Sequence, residues 1–201
     1  MDTYLLRRWI GCTALLCGQT LYAATIGISP GSQTTVVGSS VNVSLGVSGL
    51  GAGSGPSVGA YDVNITFNPV MLQLITASFG DPGLGDQLDV DGSGSVQIIT
   101  PSLGTVELFE LSLDSIDDLN NLQASSFTLA TLTFQAIGVG SSPVPVTINA
   151  LSDAYGDVLP ATVQSGTVNV SSSSVPEPQS VSIVTIGLFG ISIFIRNRRT
   201  Q

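Results

Sequence analysis

Long stretches of the chain alternate hydrophobic and polar residues with a period of two. In segments 41–48 and 61–67, an aliphatic or aromatic residue alternates with Asn, Ser, Thr, Asp or Gly. Successive side chains of a β-strand point to opposite faces, so this period predicts strands with one buried face. The second segment ends at Asn68-Pro69, a pair typical of turns.

Shorter runs of the same kind predict six more strands, separated by clusters of Gly, Pro, Asp and Ser. These runs are 72–77, 95–100, 106–113, 128–136, 144–150 and 162–170. No long amphipathic helix is predicted. Many short strands, each with one apolar face, predict an all-β domain over residues 25–170, namely an antiparallel β-sandwich of two packed sheets.

The alternation breaks once, where Leu108 and Phe109 stand side by side. A β-bulge at this point would let the apolar face continue through Leu111. It would also place Glu107 and Glu110 together on the solvent face.

The charged residues are few and unevenly distributed. The chain has 14 acidic and five basic residues and no histidine, and the basic residues are all arginines within a few positions of either end. Nucleic-acid binding is excluded because it requires Lys and Arg to displace counterions. Catalytic triads built on imidazole are excluded too. Glu107 and Glu110 form the one local pair that a glycosidase could use, but an exposed pair lacks the burial that a general acid needs, so no enzyme is predicted.

The N-terminus resembles a secretory signal. Arg7 and Arg8 precede an apolar run, and small residues follow at Ala23 and Ala24. Residues 1–24 are therefore predicted to be a signal helix cleaved after Ala23 or Ala24, with an uncleaved anchor helix as the alternative. Both cysteines of the chain lie within this segment, so the exported protein would have no disulfide.

The C-terminus combines three elements in a fixed order. A linker over residues 171–180 contains Pro176-Glu177-Pro178, and residues 181–201 comprise an apolar run to Ile195 and a basic end. The 15 apolar residues would span about 22 Å as a helix, so they form a short transmembrane helix. By the positive-inside rule, Arg196, Arg198 and Arg199 stay in the cytoplasm and the body lies across the membrane.

This C-terminal arrangement resembles the PEP-CTERM sorting signal of Gram-negative bacteria. The resemblance implies recognition and cleavage by a membrane-embedded exosortase. It also implies an intermediate anchored in the inner membrane, followed by release to the cell surface or an extracellular matrix rich in exopolysaccharide. The alternative is an ordinary membrane anchor with a proline-rich stalk.

The body resembles cohesin modules in three segments. Residues 59–74 are similar to an early cohesin strand, its Asn-Pro turn and the next strand, and residues 129–136 with Gly138 and Gly140 are similar to a later strand and turn. Residues 153–157 with 163–170 resemble the terminal hairpin. The resemblance implies a nine-stranded jelly-roll sandwich without catalytic activity that binds a dockerin-like protein.

One acidic loop offers the hard oxygen ligands that Ca²⁺ prefers. Asp86, Asp89, Asp91 and Ser93 lie within nine residues that also contain two glycines, so they are the candidate calcium ligands, with a solvated turn as the alternative. Asp153 and Asp157 form a second turn of this type. A third acidic run, Asp114, Asp117 and Asp118, is expected to face water in a loop.

Three functional hypotheses follow. The first is an exported binding or scaffold module with a protein partner, the second is direct binding of polysaccharide, and the third is a structural spacer whose negative charge maintains solubility. Calcium is the only cofactor for which the sequence offers candidate ligands, and no other is predicted.

Overall fold

The computed structural model describes residues 23–173. The predicted signal segment up to residue 22, the Pro176-Glu177-Pro178 motif, the apolar run and the arginines at 196, 198 and 199 lie outside the described residues. Within residues 23–173, no helix is long and apolar enough to cross a membrane.

The described chain folds into twelve strands and one short helix. The strands are β1 (Ala24–Ser29), β2 (Ser32–Val36), β3 (Ser40–Ser48), β4 (Ala60–Thr66), β5 (Leu72–Phe79), β6 (Ser95–Ser102), β7 (Thr105–Ser112), β8 (Ser126–Ala136), β9 (Gly140–Val144), β10 (Val146–Ser152), β11 (Ala161–Gln164) and β12 (Gly166–Ser171), and the helix is α1 (Ile116–Leu122).

The strands form two layers. One is a five-stranded sheet in the order β11-β1-β3-β8-β5. The other combines a four-stranded sheet, β10-β4-β7-β6, with a three-stranded sheet, β2-β12-β9. Only Pro145 separates β9 from β10, so these two sheets lie side by side along one line of chain. Short breaks of this kind also separate β1 from β2 and β11 from β12, which reduces the twelve segments to nine lines of chain.

The predicted sandwich is confirmed, but its strands are not all antiparallel. β1 pairs with β11 and β2 pairs with β12 in parallel register. Both lines of chain switch layers midway, so the N-terminal and C-terminal lines run together through both sheets. At the second crossing, a Cβ atom on Gly166 would overlap Cγ2 of Ile28. A larger residue therefore fits at this crossing only if Ile28 shifts.

One hydrophobic core fills the space between the layers. The inward residues of β3, β4 and β8 are almost fully buried, with Leu45, Ile65 and Phe134 each 0% exposed. Phe67 and Phe134 meet edge to face at 4.9 Å between ring centroids. The core begins at Ala24, the first residue of β1, which is buried and whose N–H donates to Pro160.

Four local features differ between the prediction and the structure. Strands β1 and β2 were not predicted, and predicted segments 144–150 and 162–170 are each interrupted by one residue. Residues 116–122 form a helix capped by Ser115, where a loop was expected. The predicted bulge near Leu108 is wrong, because β7 pairs with both neighbours without a register shift. The strand is regular, and the polar side chain of Glu110 lies in the interior.

Candidate functional site

The two layers differ in what they present to solvent. On the five-stranded sheet, the outward positions of β3 and β8 hold Ser, Thr, Asn, Gln and Gly. These side chains are uncharged and make hydrogen bonds along the sheet surface, such as Thr133 Oγ1 to Asn42 Oδ1 at 3.0 Å. This face is polar throughout its centre, and Thr131 Oγ1 on β8 is buried there without a hydrogen-bond partner.

The outer face of the four-stranded sheet carries an apolar patch instead. The register of β6 with β7 places Val96 opposite Leu111 and Ile98 opposite Phe109 on the outward side. Val96, Ile98 and Leu111 are more than a third exposed and Phe109 is partly exposed. We call these four residues the β6–β7 patch. Contiguous exposed apolar side chains of this kind are typical of binding surfaces rather than of free protein surface.

Polar groups border the patch on the next two strands. Asp62 lies opposite Phe109 on β4 and accepts a hydrogen bond from Asn149 Nδ2 at 2.9 Å. Glu107 lies opposite Asn64 one row further along the sheet. An apolar centre with a rim of hydrogen-bonding groups is the usual anatomy of a protein interface.

An acidic loop lies against one end of the patch. The N–H of Leu113, just beyond β7, donates to the carbonyl of Gly94, just before β6, at 3.1 Å. Asp89 and Asp91 of this loop and Asp114, just beyond β7, each place one carboxylate oxygen so that the three atoms lie within 4.8 Å of one another. Three converging carboxylates offer the oxygen donors that a Ca²⁺ ion takes.

Asp114 is the most constrained of the three. Its Oδ2 accepts from the N–H of Val90 at 2.6 Å, and its Oδ1 is buried without a hydrogen-bond partner. Burial, followed by the contact with Asp91, raises the pKa of Asp114 to about 6. The hydrogen bond from Asp114, followed by that from Ser93, lowers the pKa of Asp91. The pKa values of these two neighbouring carboxyl groups are therefore shifted in opposite directions.

The other predicted calcium ligands have different roles. Asp86 accepts from the N–H of Leu88 and from Gln97 Nε2, away from the three converging carboxylates. Ser93 is close to Asp91, but its backbone N–H makes the contact, at 2.8 Å. The predicted set thus divides, with Asp89 and Asp91 brought together by the fold and Asp114 added to them.

The remaining acidic turns serve local structure. Asp153 accepts from the backbone N–H groups of Tyr155 and Asp157 and so closes the second predicted turn. Asp118 accepts from Ser115 Oγ in the first turn of α1. The expectation that Asp114 simply faces water is wrong, because one of its oxygens is buried.

Glu110 is a fully buried carboxyl group that the sequence interpretation placed in solvent. It points into the sandwich, where it accepts from Tyr61 Oη at 3.0 Å, Ser95 Oγ at 2.8 Å and Gln97 Nε2 at 2.7 Å. Burial raises the pKa of Glu110 to about 7, hydrogen bonds from Gln97 and Ser95 oppose this, and contact with Asp86 adds to it. Burial and the charge of Glu110 also raise the pKa of Tyr61.

The position of Glu110 excludes Glu107 and Glu110 as a glycosidase pair. Glu107 points outward and Glu110 inward on the same strand, so the two carboxyl groups lie on opposite sides of the sheet. They cannot flank one glycosidic bond, which requires both groups on a shared substrate at about 5 to 9.5 Å. The expectation that both face solvent is wrong.

Comparison of the described fold with solved structures finds cohesin domains. A chain of the type I cohesin–dockerin complex of OlpA from Clostridium thermocellum aligns with a TM-score of 0.58 and 12% identity, over 74% of this chain and 99% of that one. The seventh type I cohesin of ScaB from Pseudobacteroides cellulosolvens aligns with a TM-score of 0.58 and 14% identity, over 78% and 97%. This chain has the cohesin fold.

The fold also occurs outside cellulosomes. A non-cellulosomal cohesin from the archaeon Archaeoglobus fulgidus aligns with a TM-score of 0.53 and 13% identity, over 74% of this chain and 91% of that one. No family model matches the sequence, and no curated protein matches it. At these identities the comparisons establish the architecture, and the surface chemistry must be judged from this chain's own residues.

Proposed function

We propose that this protein is an exported, non-catalytic binding module that takes a protein partner on the outer face of its four-stranded sheet. The single observation that carries the proposal is the β6–β7 patch, an exposed apolar surface on one layer where the central strands of the other layer, β3 and β8, are polar. Several solved structures with this fold are complexes with dockerins, which supports a protein as the partner.

The charge of the domain indicates which partner surface would fit. Residues 23–173 contain 12 acidic residues and no Lys, Arg or His. A partner docked on the patch would therefore meet Asp62 and Glu107 at the rim and the acidic loop at one end. Complementary surfaces pair opposite charges, so the partner should present an apolar centre with basic groups around it.

Export and sorting complete the proposal. The signal segment over residues 1–24 and the Pro176-Glu177-Pro178 motif support secretion followed by exosortase processing from the inner membrane to the cell surface or matrix. Because Ala24 begins strand β1 and is buried, cleavage after Ala23 would preserve the first strand. Mass spectrometry of the protein from its native host tests this, and a mature form that retains residues beyond Pro178 would contradict the sorting step.

The binding test uses two matched variants, each adding one negative charge. Ile98→Asp changes the centre of the β6–β7 patch, and Asn42→Asp changes an exposed outward position on the five-stranded sheet. The immobilised exported protein is incubated with the host's extracellular fraction, and retained protein is measured for wild type and both variants. We expect Ile98→Asp to lower retention at least about tenfold, since a charge buried at an interface centre is costly, and Asn42→Asp to leave it unchanged.

Two outcomes would contradict the proposal. Retention of carbohydrate after the fraction has been digested with protease would favour polysaccharide binding, and no saturable retention would favour the spacer. Among the described residues, Tyr155 is the only aromatic side chain that is more than a third exposed. A sugar-binding surface normally needs more aromatic platforms, so polysaccharide is the weaker candidate.

A further inference from the structure

The end of the sandwich from which the C-terminal segment leaves is apolar and carries no charge. Five exposed aliphatic side chains lie on the turns and strand ends here, and we call them the apolar end. They are Val36, Val70, Leu103, Ile137 and Val139, with Leu103 90% exposed and Val70 76% exposed. Single exposed aliphatic residues are ordinary, but five on neighbouring turns form a patch.

Backbone hydrogen bonds show that these turns adjoin one another and adjoin the point of exit. They run in sequence across the end of the sandwich from β12 to the hairpin between β6 and β7. The bonds are Val37 N–H to Ser171 O at 3.0 Å, Gly38 N–H to Ala136 O at 2.8 Å, Ile137 N–H to Met71 O at 2.8 Å and Phe67 N–H to Gly104 O at 2.9 Å. The described chain therefore ends, at Ser173, beside the apolar end.

The apolar surface continues along the side of the sandwich. Leu103 and Ile137 also line an open groove of about 520 Å³ between the edge strands β5 and β6, together with Leu74 and Ile99. The end and the groove form one connected surface, and no charged side chain contributes to either.

Negative charge concentrates at the opposite end. The acidic loops 80–94, 113–125 and 153–160 lie where β6 and β8 begin and β10 ends, whereas Leu103 and Ile137 lie where β6 and β8 end. The eight residues of β6 separate the two ends by about 27 Å. That is more than three Debye lengths at physiological salt, so an anionic surface against the apolar end would scarcely feel the acidic loops.

We propose that the apolar end rests on the surface of the lipid bilayer while the C-terminal segment is anchored in it. This inference depends on the proposed membrane anchor at residues 181–195. The seven residues 174–180 that join Ser173 to the apolar run can extend at most about 25 Å, so the tether holds this end of the domain beside the membrane. Exposed aliphatic side chains at an interface bury their surface among the headgroups and upper acyl chains.

The occupant is lipid rather than a second copy or the chain's own apolar run. The tether holds the membrane next to this end through a covalent connection. A second copy has no such connection and would have to bind this end from solution. The apolar run has its own place in the bilayer, which its basic end fixes. The contact orients the domain with its acidic loops away from the membrane.

The test places a single tryptophan at either end of the full chain. Trp9 is the only tryptophan, so Trp9→Phe is combined with Leu103→Trp at the apolar end or with Val158→Trp at the acidic end, where Val158 is 86% exposed. Both chains are expressed for export, purified from the membrane fraction and reconstituted into phosphatidylcholine vesicles with or without brominated acyl chains. Because both sites are exposed, neither substitution alters the core, and equal urea midpoints confirm this.

We expect brominated lipid to quench Leu103→Trp at least about threefold more than Val158→Trp, with a blue-shifted emission only for the former, as tryptophan at a bilayer interface shows. Equal, weak quenching of both in chains that float with the vesicles would overturn the lipid contact and leave the anchor intact. A blue shift at position 103 without quenching would show a protein neighbour there and would also overturn it. A chain that fails to float with vesicles would refute the anchor and the contact together.

Discussion

Glu110 makes the stability of this domain depend on pH in a direction opposite to that of an ordinary salt-bridged carboxylate. Its side chain is fully buried and accepts three hydrogen bonds, and burial raises its pKa from 4.5 to about 7. The folded state therefore holds a proton that the unfolded chain has already released at neutral pH. Replacing Glu110 with Gln keeps the shape and removes the titration.

The sign and size follow from linkage. A raised folded-state pKa contributes stability that is fully present below about pH 4.5 and is lost as pH rises through about 7. The difference between 4.5 and about 7, at about 1.4 kcal/mol for each pH unit, corresponds to about 3.5 kcal/mol. We therefore expect the free energies of unfolding of wild type and Glu110→Gln to differ by less than about 1 kcal/mol at pH 5. At pH 8 the variant should be more stable by up to about 3.5 kcal/mol.

Urea unfolding followed by circular dichroism at pH 5, 6.5 and 8 measures this difference. Repulsion among the other carboxylates also weakens the fold as pH rises, but it does so in both proteins and cancels in the comparison. Most of the difference should develop between pH 4.5 and 7. Glu107→Gln on the outer side of the same strand serves as the control for the loss of one carboxylate. A wild-type-to-Glu110→Gln difference that stays constant from pH 5 to 8 would refute the reasoning.

Three other substitutions test separate parts of the fold. Gly166→Ala should destabilise the domain by about 1–3 kcal/mol in urea unfolding, because its Cβ would overlap Ile28 at the crossing; no loss would show that the crossing can relax. Gln123→Ala should lower the free energy of unfolding, measured in urea, by about 3 kcal/mol, since it leaves the buried N–H and C=O of Val58 unpaired. Millimolar Ca²⁺ should raise the unfolding free energy by about 0.5–1.5 kcal/mol and should not do so in Asp114→Asn; an equal response in both would exclude the carboxylate cluster as the site.

The sequence predicted the layers of the sandwich well because most strands have one buried face. Segments 41–48 and 61–67 correspond closely to β3 and β4, and their inward residues are those with the apolar period. Strand β2 was missed because its residues, Ser32–Val36, are nearly all polar and it lies at a sheet edge, where little of it is buried. Alternation with a period of two indicates a strand only where one face of that strand is buried. It therefore does not detect a strand that has no buried face.

The candidate sites depend on contacts that no local pattern encodes. Asp114 joins Asp89 and Asp91 only because β6 and β7 form a hairpin that brings both of its flanking loops together. The break in alternation at Leu108 and Phe109 did carry a signal, and it was interpreted as a bulge. Its cause is an inward Glu110 whose partners, Tyr61 and Gln97, come from two neighbouring strands.

The proposed protein contact at the β6–β7 patch and the proposed lipid contact at the apolar end involve different surfaces of the domain. Val96 and Leu111 in the β6–β7 patch lie near the acidic end of the sheet, whereas Leu103 lies at the other end of the same hairpin. A domain resting on lipid at Leu103 would stand with β6 and β7 rising from the surface, so that the patch faces sideways and its outer rows lie about 20 Å above the headgroups. A partner could then bind while the protein is still anchored. Loss of lipid contact after processing would leave the patch unchanged, and binding should therefore be equally strong before and after release from the membrane.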